Sequence, residues 1–253
     1  MTKLKVFQLQ FAASAAVLLL CLAVIRLLWF PGGYFAISNV AELFLILCGV
    51  ILVVGPGLSA LLYRPGKWGL KFDLVVIVLI EAAILGWGLT AIHERRPEFL
   101  VFVVDRFEAV TMAEVDITPL GDSRLARRPA HMPRLIHAAL PTDPEIMNRL
   151  IDETVFEGKL DIDRRPEFWQ PYAAGIRNLK AKAKPLTRFM APADARREAI
   201  QVWLDRRGSQ AGDFIYLPLQ ARGGDGIVVI HPDIGYPVAI LPIDPWPPFP
   251  EES

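Results

Sequence analysis

Residues 72–92 read FDLVVIVLIEAAILGWGLTAI, a run that carries two acids and no base. At about 1.5 Å per residue, a helix of this length crosses the roughly 30 Å of hydrocarbon in a bilayer. Two further runs precede it, 7–30 and 40–63, both equally apolar. The reading is therefore three membrane-spanning helices in residues 1–96. Composition agrees: across 253 residues 53% are hydrophobic, and the mean hydropathy of +0.36 is high for a protein in water alone. A cleaved signal peptide is the rival reading for the first run, given Lys3 and Lys5 ahead of it. That run exceeds the usual apolar stretch of about 7–15 residues, however, and no small-x-small cleavage site follows before Pro31.

Charge divides the chain. Lys and Arg total 27, as do Asp and Glu, yet residues 1–92 hold six of the bases and three of the acids. A balanced formal charge excludes both a disordered polyelectrolyte and a protein devoted to nucleic acid, so no nucleic-acid partner is expected. Within the membrane region the placement of bases sets direction. Lys3 and Lys5 lie at the start and Arg64, Lys67 and Lys71 in the second loop, whereas the first loop, 31–39, has neither Lys nor Arg. This orients the N-terminus and second loop to the cytoplasm and exports everything after the third span, to the periplasm in a bacterium with two membranes. Arg95 and Arg96 argue the other way, but Glu94 and Glu98 flank them and charges in long domains bear weakly on topology. Trp29, Tyr34, Phe35, Tyr63 and Trp68 stand at the expected water boundaries. Cys21 and Cys48 fall inside apolar runs as small hydrophobes, which leaves the redox compartment open.

Three ionisable groups lie in or beside the spans. Arg26 and Glu42 sit near the outer ends, where pairing or snorkelling accounts for them. Glu81 is roughly 13 Å along its helix, far from both interfaces. Its bland reading is a carboxyl hydrogen-bonded within the bundle; its functional reading is a polar contact for a partner's membrane helix. Gly86 and Gly88, close by on that helix, would admit another helix. Gly55, Pro56 and Gly57 should interrupt and kink the second span, leaving a notch. With one buried acid and no inverted repeat, the spans make a poor transporter.

After Pro97 the pattern becomes that of a water-soluble α+β domain with a mostly antiparallel sheet, residues 97–241. The run EFLVFVV (98–104) and its continuation at 107–110 predict strands. Residues 118–141, with four prolines, predict a loop. Thr142, Asp143, Pro144 and Glu145 ahead of Ile146, Leu150, Ile151 and Val155 predict a capped amphipathic helix ended by Gly158. Further helices are predicted at 171–184 and 192–207, the latter stopped by Gly208. Lys180, Lys182 and Lys184 read as complements to a helix C-terminus, with an anion or lipid-headgroup site as the sharper alternative. A meander of strands is predicted over 214–220, 227–230 and 238–241, followed by a proline-rich tail, 242–253, that is either a strap or a docking segment.

Catalytic patterns are missing. His93, His131, His137 and His231 stand in no zinc spacing. Gly223, Gly224 and Gly226 read as a hairpin turn and not as a phosphate loop, and Asp161, Asp163 and Glu167 as a salted turn. Asp105 and Arg106 read as an ion pair at a strand end, with a catalytic pair as the less favoured alternative. No metal, cofactor or enzyme activity is expected.

Three stretches together carry a family resemblance: WFPGGYF (29–35), YRPGKWGLKFDL (63–74) and RPEFLVFVVDRFEAV (96–110). The chain resembles the TfpX/TfpZ type of type IV pilin accessory protein, with Gly69, Lys71, Phe72, Asp73, Asp105, Arg106 and Phe107 as the motif-like positions. In the second span Val54-Gly55-Pro56-Gly57 departs from the more acidic, leucine-rich segment expected there. The resemblance implies a non-enzymatic inner-membrane helper of pilus assembly. Its implied partner is a type IV pilin or the assembly machinery, met through helix packing at Glu81, Gly86, Gly88 and the Gly55-Pro56-Gly57 notch, and through the periplasmic domain. The competing classes are a membrane-anchored enzyme modifying pilin or envelope glycans, and a scaffold or sensor unrelated to pili.

Overall fold

A computed structural model of the chain describes residues 2–64, 68–116, 125, 127, 129, 132–191 and 194–246. Lys67, His131, most of the 118–133 stretch, Pro192 and the end of the tail lie outside the described residues. The chain forms two compact units: residues 1–31 with 39–96, and residues 32–38 with 97–253.

The first unit is helical. Helix α1 (Lys3–Val24) opens on Thr2, whose hydroxyl accepts the Lys5 N–H at 3.3 Å, and continues through a five-residue π-helical turn, Ile25–Trp29. Helices α3 (Val40–Leu62) and α4 (Leu70–His93) follow, and all three are long and apolar enough to cross a membrane. Their outward surfaces carry Leu19, Leu45, Val53, Leu61, Leu79 and Trp87, all exposed. Helices apolar on every side bury nothing by facing water, so these surfaces call for a lipid solvent. The expected break in the second span is absent: α3 runs unbroken through Gly55, Pro56 and Gly57. Pro56 removes one N–H from the ladder, and the rest of the helix, without water to compete for its backbone, holds its pairing. Gly69 starts α4 in the left-handed region at φ 88°, which glycine adopts without steric cost.

The second unit is built on one sheet. Strand β1 (Pro97–Val103) turns through Val104 and Asp105 into β2 (Arg106–Thr111). Strand β3 (Arg134–Ala138) precedes helix α5 (Pro144–Val155), and β4 (Trp169–Pro171) precedes α6 (Tyr172–Lys182). Then come β5 (Lys184–Pro185), helix α7 (Arg197–Arg207), β6 (Ile215–Ala221), β7 (Gly226–Ile230) and β8 (Pro237–Leu241). The order is β4-β3-β1-β2-β6-β7-β8, with β5 paired to β6. This corrects the expectation of a mostly antiparallel sheet. The sheet is mixed, because β1 lies parallel to β3 and β2 parallel to β6. Every residue of β1 is buried, so the unalternating run EFLVFVV marks a central strand covered on both faces. Phe99, Val101 and Val103 join Ile136, Trp169 and Leu150 of α5 in one core, while Phe102 points the other way, toward α6.

The loop expected over 118–141 is also corrected, since β3 lies within it. Helix α5 matches its sequence cap: the Asp143 carboxylate accepts the Glu145 N–H at 2.8 Å. Helix α7 starts at Arg197, later than expected, and ends at Gly208 in the left-handed region. A second core gathers Ile200 and Leu204 of α7 with Phe189, Tyr216, Ile227 and Val229. Ile243, from the tail, is 5% exposed within that core. Arg196 donates to the carbonyls of Asp244 and Trp246, both at 3.1 Å, and the Trp246 indole donates to Asp225 at 2.6 Å. Residues 242–246 are therefore a strap.

Helix α2 (Tyr34–Ile37), in the connector between the first two spans, belongs to this same unit. Ile37 is 1% exposed and its carbonyl accepts the Gly223 N–H at 3.1 Å. Gly33 lies against the Ile240 carbonyl of β8 so closely that a Cβ would collide with backbone.

Candidate functional site in the helical unit

Among the sequence-singled residues of the first unit, the structure joins Glu81 and Gly55. A Cβ on Gly55 would fall on the Glu81 carboxyl, so the glycine of α3 makes the space in which the acid of α4 lies. Gln10 of α1 completes the group, its Nε2 donating to Glu81 Oε2 at 2.9 Å. Gln10 does not stand out in the sequence; the available signal is that it is one of the few polar residues, with Gln8, Ser14 and Arg26, in the first apolar run. Glu81 Oε1 is buried with no hydrogen-bond partner among the described residues, and so is the Ser59 hydroxyl one turn along from Gly55. In hydrocarbon an unsatisfied acceptor costs about 1–3 kcal/mol or more, since no water replaces the missing donor.

Beside the carboxyl lies a recess of about 230 Å³ between α1 and α4, lined by Gln10, Ser14, Val17, Val78, Glu81 and Ala82 among others. Val17 and Val78, at its rim, are 45% and 53% exposed. The recess is thus an opening whose accessible wall is almost wholly apolar.

The remaining predicted contacts separate by environment. Gly88 abuts the Leu47 side chain, where a Cβ would come within 2.8 Å of Cδ1, so it serves packing inside the bundle. Pro56 is buried. Gly57 and Gly86 have open space where a side chain would go, and the Gly86 carbonyl accepts the Thr90 hydroxyl at 2.9 Å. His93 packs edge-on against Trp29, ring centroids 4.8 Å apart. Lys71 and Phe72 are exposed, and the Asp73 N–H bonds the Gly69 carbonyl at 3.0 Å in the first turn of α4.

In the second unit Arg106 and Phe107, two of the motif-like residues, make contacts within the domain. Arg106 Nε donates to Glu108 at 2.9 Å while its Nη1 lies 3.7 Å from Asp105, so Glu108 is its main partner. Phe107 is fully buried between Phe102 and Tyr172. Glu108 and Asp163 are both pushed above the usual carboxylate range, chiefly by burial; Arg106 opposes this for Glu108 and Arg164, at 2.7 Å, for Asp163. His231 Nδ1 accepts the Asp233 N–H at 3.3 Å. Lys180 donates to the Asp233 carbonyl, which gives one lysine of the cationic trio a structural role. A cleft of about 850 Å³ opens where β1 and β3 end, between the start of α5 and α6. His137 lines it, 7% exposed and stacked on Phe102, with Gly175 leaving room for its ring; burial holds its pKa below the ordinary value, against a backbone contact from Phe102.

Comparison with known proteins aligns nearly the whole chain. It is 24% identical over 243 residues to a fimbrial assembly protein of serogroup I from Dichelobacter nodosus, the match covering 93% of both chains. A serogroup E1 fimbrial assembly protein of the same organism matches to the same extent. The fimbrial assembly protein of its serogroups C1 and C2 is 27% identical over 114 residues, which is 44% of this chain and 86% of that protein. No family model matches the chain. No solved structure matches it either.

Proposed function

We propose that this chain is a membrane-bound helper of type IV fimbrial assembly, acting on the pilin subunit or on the assembly machinery without enzymatic chemistry. It is of the TfpX/TfpZ type, resides in the bacterial inner membrane with its N-terminus in the cytoplasm, and holds its α+β domain in the periplasm. The observation that carries the reading is the similarity to fimbrial assembly proteins along 93% of both lengths, which includes the membrane region as well as the domain. Three apolar helices supply the spans. Their parity supports the topology: the first connector folds with residues 97–253, which requires both on one side of the membrane, and an odd number of spans provides this. The helical unit offers a partner's membrane helix the open surfaces at Gly57 and Gly86 and the polar group around Glu81, while the domain offers a folded surface outside the lipid.

Deleting the gene in its own host is expected to abolish or strongly reduce surface fimbriae while the subunit is still synthesised, with recovery on expression of the full chain. Normal fimbriation in the deletion strain would overturn the assignment. A periplasmic-only reporter fused after Ser253 is expected to be active, and a carbonate wash is expected to leave the chain in the membrane.

A further inference from the structure

We propose that the cleft at the ends of β1 and β3 holds an extended peptide of three or four residues, a stretch of the fimbrial subunit lying outside the lipid. That the subunit supplies it rests on the helper reading above; that the ligand is a peptide rests on the cleft itself. The cleft, about 850 Å³, opens where two adjacent parallel strands end. Sheets covered by helices on both faces receive ligands at this position. One wall is a single face of α6, with Ala174, Asn178 and Lys182 on successive turns. Eight residues at about 1.5 Å each make that wall roughly 12 Å long, the reach of three or four extended residues at about 3.3 Å each. A substantial share of the accessible wall is polar. Among the described residues, the side-chain amides of Gln170 and Asn178 make no hydrogen bond within the protein. Each offers a donor and an acceptor, the same two groups that a peptide backbone presents. The carboxylates in the lining are already engaged: Asp143 caps α5, and Glu167 pairs with Arg165 at 2.7 Å. The cleft therefore lacks the convergent free charges that would hold a small ionic metabolite. Val104, Leu140 and Ile146, all exposed at the cleft, give the peptide's apolar side chains somewhere to bury. Val104 is kept there against its backbone preference. It lies in the left-handed region at φ 51°, which strains a β-branched residue. It opens the two-residue turn between β1 and β2, where hairpins ordinarily use glycine or asparagine. Its side chain, 47% exposed, gains little burial in the fold to offset the strain.

The test uses the full chain in host membranes with a photo-crosslinking amino acid at Leu140 or Ile146, and at the exposed Val155, elsewhere on α5, as a control site. Subunit adducts are expected from the two cleft sites and not from Val155, and they should map to one stretch of the subunit outside its membrane segment. Ala174→Trp fills the cleft from an exposed helix position and should abolish the adducts with the protein level and thermal midpoint unchanged. Asn178→Leu should lower them roughly two- to twelve-fold, the range for one hydrogen bond. Val104→Asn relaxes the turn and removes an apolar contact, so adducts should fall while the thermal midpoint holds or rises, a split that a purely structural role does not give. The mapped stretch, made as a synthetic peptide, should bind the full chain in mild detergent, and its backbone N-methylated form should bind roughly two- to twelve-fold more weakly. Adducts that are absent, that form with lipid, a second copy or a different protein, or that persist undiminished in Ala174→Trp and Asn178→Leu would overturn the inference, as would equal binding of the N-methylated peptide. Loss of fimbriae on gene deletion with undiminished adducts in both variants would sink the inference and leave the helper reading standing. Normal fimbriae on deletion would instead remove the helper reading.

Discussion

Alanine at position 55 should damage this protein while alanine two residues later should not. In an ordinary helix Gly→Ala gains up to about 1 kcal/mol from propensity. At Gly57 nothing lies within 4 Å of the added methyl, so Gly57→Ala is expected to be neutral or to stabilise by that amount. At Gly55 the methyl would overlap the Glu81 carboxyl. Forcing it in costs about 1–3 kcal/mol of overpacking. Displacing Glu81 from Gln10 costs about 0.6–1.7 kcal/mol more, the range for one hydrogen bond in a membrane. Subtracting the propensity gain leaves a net loss of about 1–4 kcal/mol. The assay is thermal loss of the monodisperse peak for the full chain in mild detergent, comparing wild type, Gly55→Ala, Gly57→Ala, Glu81→Ala and the Gly55→Ala/Glu81→Ala pair. Because Glu81→Ala removes the atoms that clash, the double variant should be more stable than the sum of the singles predicts. Equal midpoints for Gly55→Ala and Gly57→Ala, or strict additivity in the pair, would refute the packing of Glu81 against Gly55.

Three further outcomes follow from the second unit. Arg196→Ala removes a bidentate pair with buried Asp194, 2.7 Å for both contacts, and two carbonyl bonds to the tail; a loss of about 2–4 kcal/mol and faster cutting between Ile243 and Asp244 by an aspartate-directed endoprotease are expected, and unchanged cutting would contradict the strap. Glu108 holds its proton more tightly in the folded chain than in the unfolded one, because burial raises its pKa. The stability this gives is present at low pH and is lost as pH rises from the ordinary carboxyl value of about 4 through the raised folded value. Glu108→Gln should therefore gain stability relative to wild type over that interval, and parallel curves would refute the assignment. Gly33→Val would drive a side chain into the Ile240 carbonyl; in a background without Cys21 and Cys48, a cysteine placed at Ile37 should then become reactive to a water-soluble thiol reagent, and continued protection would count against the docking.

What could be read from sequence divides by the range of the forces involved. The spans were legible because bilayer thickness acts on each segment alone, and α5 because Asp143 and Pro144 write its start locally. Strand β3 was hidden, since RLIHA sits among prolines and gains its place from pairing with β1. The parallel pairs were missed for the same reason, although the unalternating EFLVFVV already argued for burial on both faces. Glu81 and Gly55 were each conspicuous by residue type. Their contact, and the part of Gln10, depend on the azimuth of three helices about one another, which uniformly apolar spans leave unwritten because no greasy stripe marks the inner side.

The docking of Gly33 and Ile37 onto the sheet changes what can be cut from this protein. The polypeptide leaves the helical unit, lends seven residues to the sheet-bearing unit, and returns before that unit's own sequence has been made. Residues 97–253 expressed alone would lack this piece and bare the side of β8 it covers, and residues 1–96 alone would dangle it. Synthesis therefore has an order: the connector is made first and must wait for the sheet, which is translated only after the third apolar helix.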